Sequence, residues 1–530
     1  MTTSTTGRRA DARTAPSFAA VPLTSLPDPP SPPDPRDPLR FPGYAQRLDD
    51  LDGDESLETG TVRLGDVLAH DGLLAHDGLG EPRSPIAVDL EVVVARGRFD
   101  VLGGSMGTAH GDRLAHAAAV ARDRRLPLVV VTSSGGARMQ EGMRSLVQMA
   151  RAAEAVRTLR EAGIPLLAMA THPTTGGVHA SYGSSADLTV AVDGATIGFA
   201  GPRVVEAFTG QPVGDDSHTA AAAGEAGLVD LVADAPTADR AIARWATLLH
   251  PAQRDGALPA ADHVDEPTVE LGAWEAVRRA RRADRPSARD LLAEVFDGHS
   301  ELHGDRVGGS DDPAVVTALA RLGARTVVVV GFDRRGARAD GIGRGAQPGR
   351  PGQATAAGYR QLQRALRLAR RHHLAVIALV DTPGADPSPP SDRDGLAAAI
   401  AETFVACLEV PAPTVAVVTG EGGSGGALAI AATDRLLQQD DAVFEVIAPE
   451  GAAAILHRDP TRAQEVADAL APTAPQLRRL GIVDRIVPGP TTFDPRTAST
   501  ALRAELSVTL RELDAEPDRR ERRARRYGPR

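Results

Sequence analysis

Apolar strands alternate with helix-like segments along this chain, and the alternation runs through twice. In the first pass a helix-like segment opens at Gly111-Asp112-Arg113, an apolar strand follows from Leu128 to Val131, and the strand ends in Ser134-Gly135-Gly136-Ala137. In the second, Gly358-Tyr359-Arg360 opens the helix-like segment, the strand runs from Ala375 to Val380, and it ends in Thr382-Pro383-Gly384-Ala385. A further strand comes next in each pass, Pro165 to Thr171 and Pro413 to Thr419, and each runs on into a glycine pair. Gly136 to Gly177 spans 41 residues, and Gly384 to Gly425 spans 41 again. Asp187 precedes Pro202 by 15 residues, as Asp434 precedes Pro449. The phrases Gly227-Leu-Val-Asp230 and Gly481-Ile-Val-Asp484 close the two passes. So many features in one order mark two copies of a single α/β domain.

The stretches outside the repeat set the expected boundaries. Residues 1–36 are rich in Pro, Ser, Thr and Asp and are expected to form a disordered tail. The domains then fall at 37–250 and 285–510, with a linker at 251–284, polar from Pro251 to Glu266 and then an Arg-rich helical segment around Trp274 to Arg282, and a basic tail at 511–530. That tail reads as a solvated helix end.

Composition narrows the chemistry. The 530 residues are 42% hydrophobic, a globular balance, and the net charge of -11 argues against nucleic acid as a partner. No apolar run approaches the roughly 18 residues of a membrane span. With Cys407 as the single cysteine, no disulfide can form within the chain, no cysteine-ligated zinc site is expected, and a cytoplasmic protein fits. No His, Asp and Glu cluster has metal-binding spacing. The chain contains no lysine. A phosphate-binding P-loop, Schiff-base chemistry and a covalently carried biotin all need one.

The glycines are the candidate chemistry. Glycine between a strand and a helix leaves backbone N–H groups uncovered at the positive end of the helix dipole. Two such groups can hold a developing oxyanion. Gly135 and Gly136 with Gly176 and Gly177 form one candidate hole; Gly384 with Gly425 and Gly426 forms the other. Each pair by itself also reads as a tight turn. The repeat at matched spacing favours two holes, which suit a reaction that makes two anions. Arg138 follows the first pair and reads either as an anion-binding group or as a structural ion pair. Glu141 and Glu421 read as capping or ion-pairing groups. His172 and His179 flank the Gly176-Gly177 turn.

At these residues the chain resembles a known family. Leu102-Gly-Gly-Ser-Met-Gly107, Ser134-Gly-Gly-Ala-Arg-Met-Gln-Glu141, Pro173-Thr-Thr-Gly-Gly177 and Ile197-Gly-Phe-Ala-Gly-Pro202 resemble the beta subunit of bacterial acetyl-CoA carboxylase carboxyltransferase, as does Asp37-Pro-Leu-Arg-Phe41. Phe296 to Arg306, Asp381-Thr-Pro-Gly-Ala385, Gly420 to Ile430 and Ile447-Ala-Pro-Glu-Gly451 resemble the alpha subunit. The resemblance covers nearly the whole folded chain.

It implies two tandem crotonase-like (ClpP/crotonase) domains. The first would bind acyl-CoA and hold its enolate at Gly135, Gly136, Gly176 and Gly177, with Ala137 and Arg138 at the substrate. The second would hold the ureido oxygen of biotin near Gly384, Gly425, Gly426 and Ala427. Carboxybiotin would arrive on a biotin carboxyl carrier protein charged by biotin carboxylase, and biotin's own nitrogen would take the α-proton. The family places each active site between domains of different protomers, so at least a homodimer is implied. Three departures stand out. The beta subunit's four-cysteine zinc ribbon is absent, the stretch Asp340-Gly-Ile-Gly-Arg-Gly345 is altered, and His179 stands where a small residue is expected. A malonyl-thioester decarboxylase, a crotonase-type hydratase or isomerase, and a non-enzymatic scaffold are the competing readings. Leu428 follows the acetyl-CoA pattern.

Overall fold

The computed structural model describes residues 17–27, 29, 39–51, 55–69, 87, 89–214, 216–335 and 352–528. The chain divides into two compact units, one running to Ala222 together with Leu231–Thr247, the other made of Ala223–Asp230 and Leu248 onward.

Each unit is built on an eight-stranded sheet. The first contains β1 (Thr24–Ser25), β2 (Leu57–Arg63), β3 (Glu91–Gly97), β4 (Leu128–Ser134), β5 (Leu166–Thr175), β6 (Leu188–Val192), β7 (Ile197–Gly198) and β8 (Leu231–Ala233). Its order is β1-β2-β3-β4-β5-β6-β8, with β7 on the far end of β5. The second contains β9 (His299–Glu301), β10 (Val315–Leu322), β11 (Arg325–Phe332), β12 (Ala375–Thr382), β13 (Thr414–Gly423), β14 (Arg435–Gln439), β15 (Val443–Glu445) and β16 (Arg485–Val487). Its order is β9-β10-β11-β12-β13-β14-β16, with β15 on β13. In each sheet an antiparallel pair, β2–β3 or β10–β11, leads into parallel strands joined by helices.

The repeat read from the sequence is therefore structural, and it extends to details. Asp187 accepts the Leu166 N–H at 2.9 Å, and Asp434 accepts the Thr414 N–H at 2.9 Å, so each aspartate anchors the start of the strand that ends in glycine. Pro202 and Pro449 each open a helix, where the missing proline N–H costs nothing. The central strands are buried on both faces, as parallel sheets covered by helices require. Against one face of the first sheet pack helices Thr108–Arg124 and Met143–Glu161 through Leu114, Ala117, Ala121, Ala152, Val156 and Leu159. Helix Pro495–Ala515 lays Leu502, Leu506, Leu510 and Leu513 against the second sheet. Each fully buried Leu contributes roughly 1.5–3 kcal/mol relative to exposure.

Three expected boundaries shift. Within 1–36, Ser17–Ala20 is helical, Phe18 is fully buried with its N–H on Asp239, and Thr24–Ser25 pairs with β2. The remainder of that stretch, apart from 21–27 and 29, lies outside the described residues, as do Asp37 and the segment 340–345. Within 251–284, helix Ala273–Ala280 packs Ala276, Val277 and Ala280 on Val443, so it belongs to the second unit. The basic C-terminus forms helix Arg519–Tyr527, and its Arg523 is buried, chelating Asp434 through two 2.7 Å hydrogen bonds and donating to the carbonyls of Leu408 and Val410. One guanidinium there satisfies the carboxylate and two carbonyls at and just past the end of helix Leu396–Leu408 together. Among the described residues no helix is long and apolar enough to cross a membrane.

Candidate active site

The two glycine turns have one architecture. At the end of β4 the pairing with β5 slips between Thr132 and Ser134, and at the end of β12 the pairing with β13 slips between Val380 and Thr382. The chain then enters a conformation open to glycine, Gly136 at φ +119° and Gly384 at φ +135°. A hydroxyl two residues upstream fixes each turn: the Gly136 N–H donates to Ser134 Oγ and the Gly384 N–H to Thr382 Oγ1, both at 3.0 Å. The neighbouring strand makes its own left-handed step before a helix begins, at Gly176 (φ +61°) and Ser424 (φ +59°). The strand ends touch. A Cβ on Gly176 would lie 2.5 Å from the Gly136 Cα, and one on Gly423 would lie 2.9 Å from the Gly384 nitrogen.

The hydrogen-bond ledger moves the candidate donors by one residue. Four of the expected donors are already taken: Gly135 by the Gly103 carbonyl (2.9 Å), Gly176 by the Phe199 carbonyl (2.8 Å), and Gly136 and Gly384 by the hydroxyls. These glycines shape the turns rather than donate from them. The N–H groups of Ala137 and Gly177 in the first unit, and of Ala385 and Gly425 in the second, meet no acceptor among the described residues. Ala137 and Ala385 occupy the same place after the positive-φ glycine, and Gly177 and Gly425 the same place after the left-handed step. Ala385 was missed by the sequence reading, because nothing local shows that the N–H before it is satisfied. Gly426 and Ala427 are buried in the first turn of the helix Ser424–Ala431. Gly426 is required for space: a Cβ there would lie 2.7 Å from both the Ala385 nitrogen and the Tyr359 hydroxyl.

Behind the first turn stands a closed polar cluster. Leu102–Gly104 forms a short turn, and Met106 pairs edge-on with the glycine turn, its N–H on the Gly136 carbonyl (2.8 Å) and its carbonyl receiving the Arg138 N–H (3.0 Å). Arg138, a candidate anion-binding residue, is 1% exposed. Its guanidinium is bound by Glu55, Glu141 (3.2 Å), Ser56 Oγ (3.0 Å) and the Ser105 carbonyl (2.8 Å). No donor is left for a ligand, so Arg138 is the structural ion pair of the two readings. Burial works to raise the Glu55 carboxyl, but hydrogen bonds and charge from Arg138 hold it at about 2. Glu141 caps helix Thr108–Arg124 through the Thr108 N–H (2.7 Å). His110 is buried between Ser56 Oγ (2.8 Å) and the Tyr182 hydroxyl (3.0 Å), and burial lowers its pKa to about 3. Burial also lowers the pKa of His179, while His172 accepts the Thr196 N–H at 3.3 Å.

The second turn is backed by carboxylates. Glu421 is held by Arg281 (2.8 Å) and Arg334 (3.2 Å), as ion pairing predicts. Glu445, on β15 beside Gly423, is 5% exposed, and neither of its carboxylate oxygens has a hydrogen-bond partner among the described residues. Burial first, then the charge of Glu421, raises its pKa to about 8. A carboxyl raised in this way keeps a proton that the unfolded chain has released, so it makes stability fall as pH climbs from the ordinary carboxylate range towards 8. The slope is about 1.4 kcal/mol per pH unit for one proton. Glu445→Gln is expected to flatten that fall and to be the more stable protein above pH 8. Urea melts of both proteins from roughly pH 5 to 9 check it, and parallel stability curves would refute it.

Comparisons with known proteins bear on the fold and the family. A family model described as acetyl co-enzyme A carboxylase carboxyltransferase-like matches residues 260–528. The acetyl-coenzyme A carboxylase carboxyl transferase subunits beta/alpha of Salinispora tropica is 45% identical over 456 residues, 82% of this chain and 79% of that protein. A probable biotin-dependent acyl-coenzyme A carboxylase beta3 subunit of Mycobacterium bovis is 36% identical over 82% of this chain and 86% of its own length. Among solved structures, transcarboxylase 12S with methylmalonyl-coenzyme A and methylmalonic acid bound has a TM-score of 0.67 at 20% identity, covering 88% of this chain and 84% of that one. The fold is thus crotonase-like in both units. The chain belongs to the biotin-dependent acyl-CoA carboxylase carboxyltransferase family.

Proposed function

We propose that the protein is the carboxyltransferase component of an acetyl-CoA carboxylase, moving a carboxyl group from carboxybiotin on a separate carrier protein to acetyl-CoA to give malonyl-CoA. The observation that carries this reading is the duplicated pair of open backbone donors, Ala137 with Gly177 and Ala385 with Gly425. The transfer develops negative charge twice, on the thioester oxygen of the acyl-CoA and on the ureido oxygen of biotin. One donor aimed at such charge is worth about 3 to 4 kcal/mol in the transition state. Ala137 and Gly177 stabilise the thioester enolate. The ureido carbonyl is an acceptor, and the unpaired Ala385 and Gly425 donors fit it.

When bound, biotin supplies the carboxyl group and the nitrogen that exchanges it for the substrate's α-proton. That division of labour leaves the chain's titratable groups free of acid–base duty, which agrees with their engagement elsewhere. Arg138 and Glu141 are tied into the cluster, and His110 is buried as a neutral imidazole. A chain without lysine takes its biotin from another polypeptide, so a biotin carboxyl carrier protein and biotin carboxylase are the proposed partners. The acetyl-CoA preference follows the names of the beta/alpha relatives, and a homodimer at least is the proposed working form.

The reverse half-reaction tests this without ATP or partners. Purified protein is mixed with malonyl-CoA and biotin, and acetyl-CoA release is followed. Release that depends on biotin is expected. Release independent of biotin, or no turnover with malonyl-, methylmalonyl- or longer carboxyacyl-CoAs when a biotinylated carrier is supplied, would sink the proposal.

A further inference from the structure

We propose that the Tyr359 hydroxyl is a third hydrogen-bond donor of the second hole, completing with Ala385 and Gly425 a cradle for the carbonyl oxygen of a cyclic urea. The inference rests on the biotin reading of that hole and adds a side chain to it.

Three observations converge on this hydroxyl. Tyr359 is fully buried, yet its Oη has no hydrogen-bond partner among the described residues. Leaving a buried hydroxyl unpaired is costly, and such groups in native proteins call for an explanation. The hydroxyl also has a direction. It lies 2.7 Å from the point where a Gly426 Cβ would be, and the Ala385 nitrogen lies 2.7 Å from the same point. The two unpaired donors therefore both lie close against Gly426, at the start of the helix that carries the Gly425 N–H. An acceptor that reached both would satisfy the two at once.

The ring is not free to turn away. It packs edge-on against Phe332, with centroids 6.0 Å apart, and the Tyr359 backbone is fixed in helix Ala356–His372, its N–H on the Thr355 carbonyl (3.1 Å). Burial raises the phenol above its ordinary pKa, so the group keeps its proton and acts as a donor. The first unit has Gly111, with no side chain, at the matching place: helices Thr108–Arg124 and Ala356–His372 have the same length, and the Gly111 and Tyr359 N–H groups donate alike to the Gly107 and Thr355 carbonyls. The tyrosine therefore distinguishes the second hole from the first, as two holes for different oxyanions would require.

Tyr359→Phe separates function from structure. The variant removes only the hydroxyl, so the ligand-free protein is expected to melt at a higher temperature than wild type. In the malonyl-CoA assay, kcat/KM for biotin is expected to fall at least about tenfold, while KM for malonyl-CoA is unchanged. Wild-type turnover with biotin in the variant overturns the assignment of Tyr359. A lower melting temperature shows that the hydroxyl is paired inside the protein and overturns it as well. Should wild type itself fail to turn over, the carboxyl-transfer reading falls, and the melting comparison still decides whether the hydroxyl is an open donor.

Discussion

Gly425→Pro is expected to lower kcat for biotin-dependent acetyl-CoA release by roughly two to three orders of magnitude, while Gly425→Ala stays within a few-fold of wild type. The pair isolates one N–H. A Cβ at Gly425 meets nothing within 4 Å, so alanine fits and keeps the donor. Proline removes the donor. Gly425 is the second residue of helix Ser424–Ala431, where an N–H has no partner within the helix and proline is tolerated. The preceding Ser424 stands at φ +59°, outside the extended region that proline favours in its predecessor, so the melting temperature of the proline variant is part of the test. Equal melting temperatures for the two variants would confirm that the fold is intact. A proline variant of normal melting temperature that turns over like wild type would remove Gly425 from the oxyanion assignment.

The repeat, the two turns and their neighbourhood were legible in the sequence because they are written in spacing. A strand of fixed length, a glycine, 41 residues and another glycine suffice to place two strand ends side by side. The identity of the donors was not legible. Whether the Gly136 N–H is open depends on the rotamer of Ser134, and whether Gly135 is open depends on a carbonyl at Gly103, far off in sequence. Composition misled at the edges. Proline-rich sequence concealed Phe18, and a run of arginines concealed Arg523, which is buried because Asp434 gives it a bidentate partner. Helix Ala273–Ala280 was legible as the arginine-rich helical segment around Trp274 to Arg282; its place in the second unit follows from Ala273, Ala276, Val277 and Ala280, which repeat at helical spacing and are all buried. Tyr359 carried a weaker signal. It is one of only four tyrosines in a chain poor in aromatics, at the place where the first unit has Gly111.

Arg138→Met is expected to destabilise the first unit by about 3 to 5 kcal/mol, because it leaves Glu55 and Glu141 buried without their counter-charge. Glu55→Gln in the same protein is expected to return part of that loss, since a neutral amide no longer needs the guanidinium. Acid tests the same cluster. With Glu55 held at about 2 in the folded state, its contribution is complete above the ordinary carboxylate range and is lost as pH falls through that range towards 2. Wild type is therefore expected to lose stability in acid more steeply than the double variant. The position of Arg138 gives the cluster its importance for the site. Its own N–H is fixed on the Met106 carbonyl while its side chain is clamped by Glu55, so the backbone immediately before it, which carries the Ala137 donor, is held from both sides. An arginine serving as a ligand group would behave in the opposite way: Arg138→Met would raise KM for malonyl-CoA and leave urea unfolding unchanged. That outcome would overturn the structural assignment, and with it the argument that the first hole is preorganised by a buried ion pair.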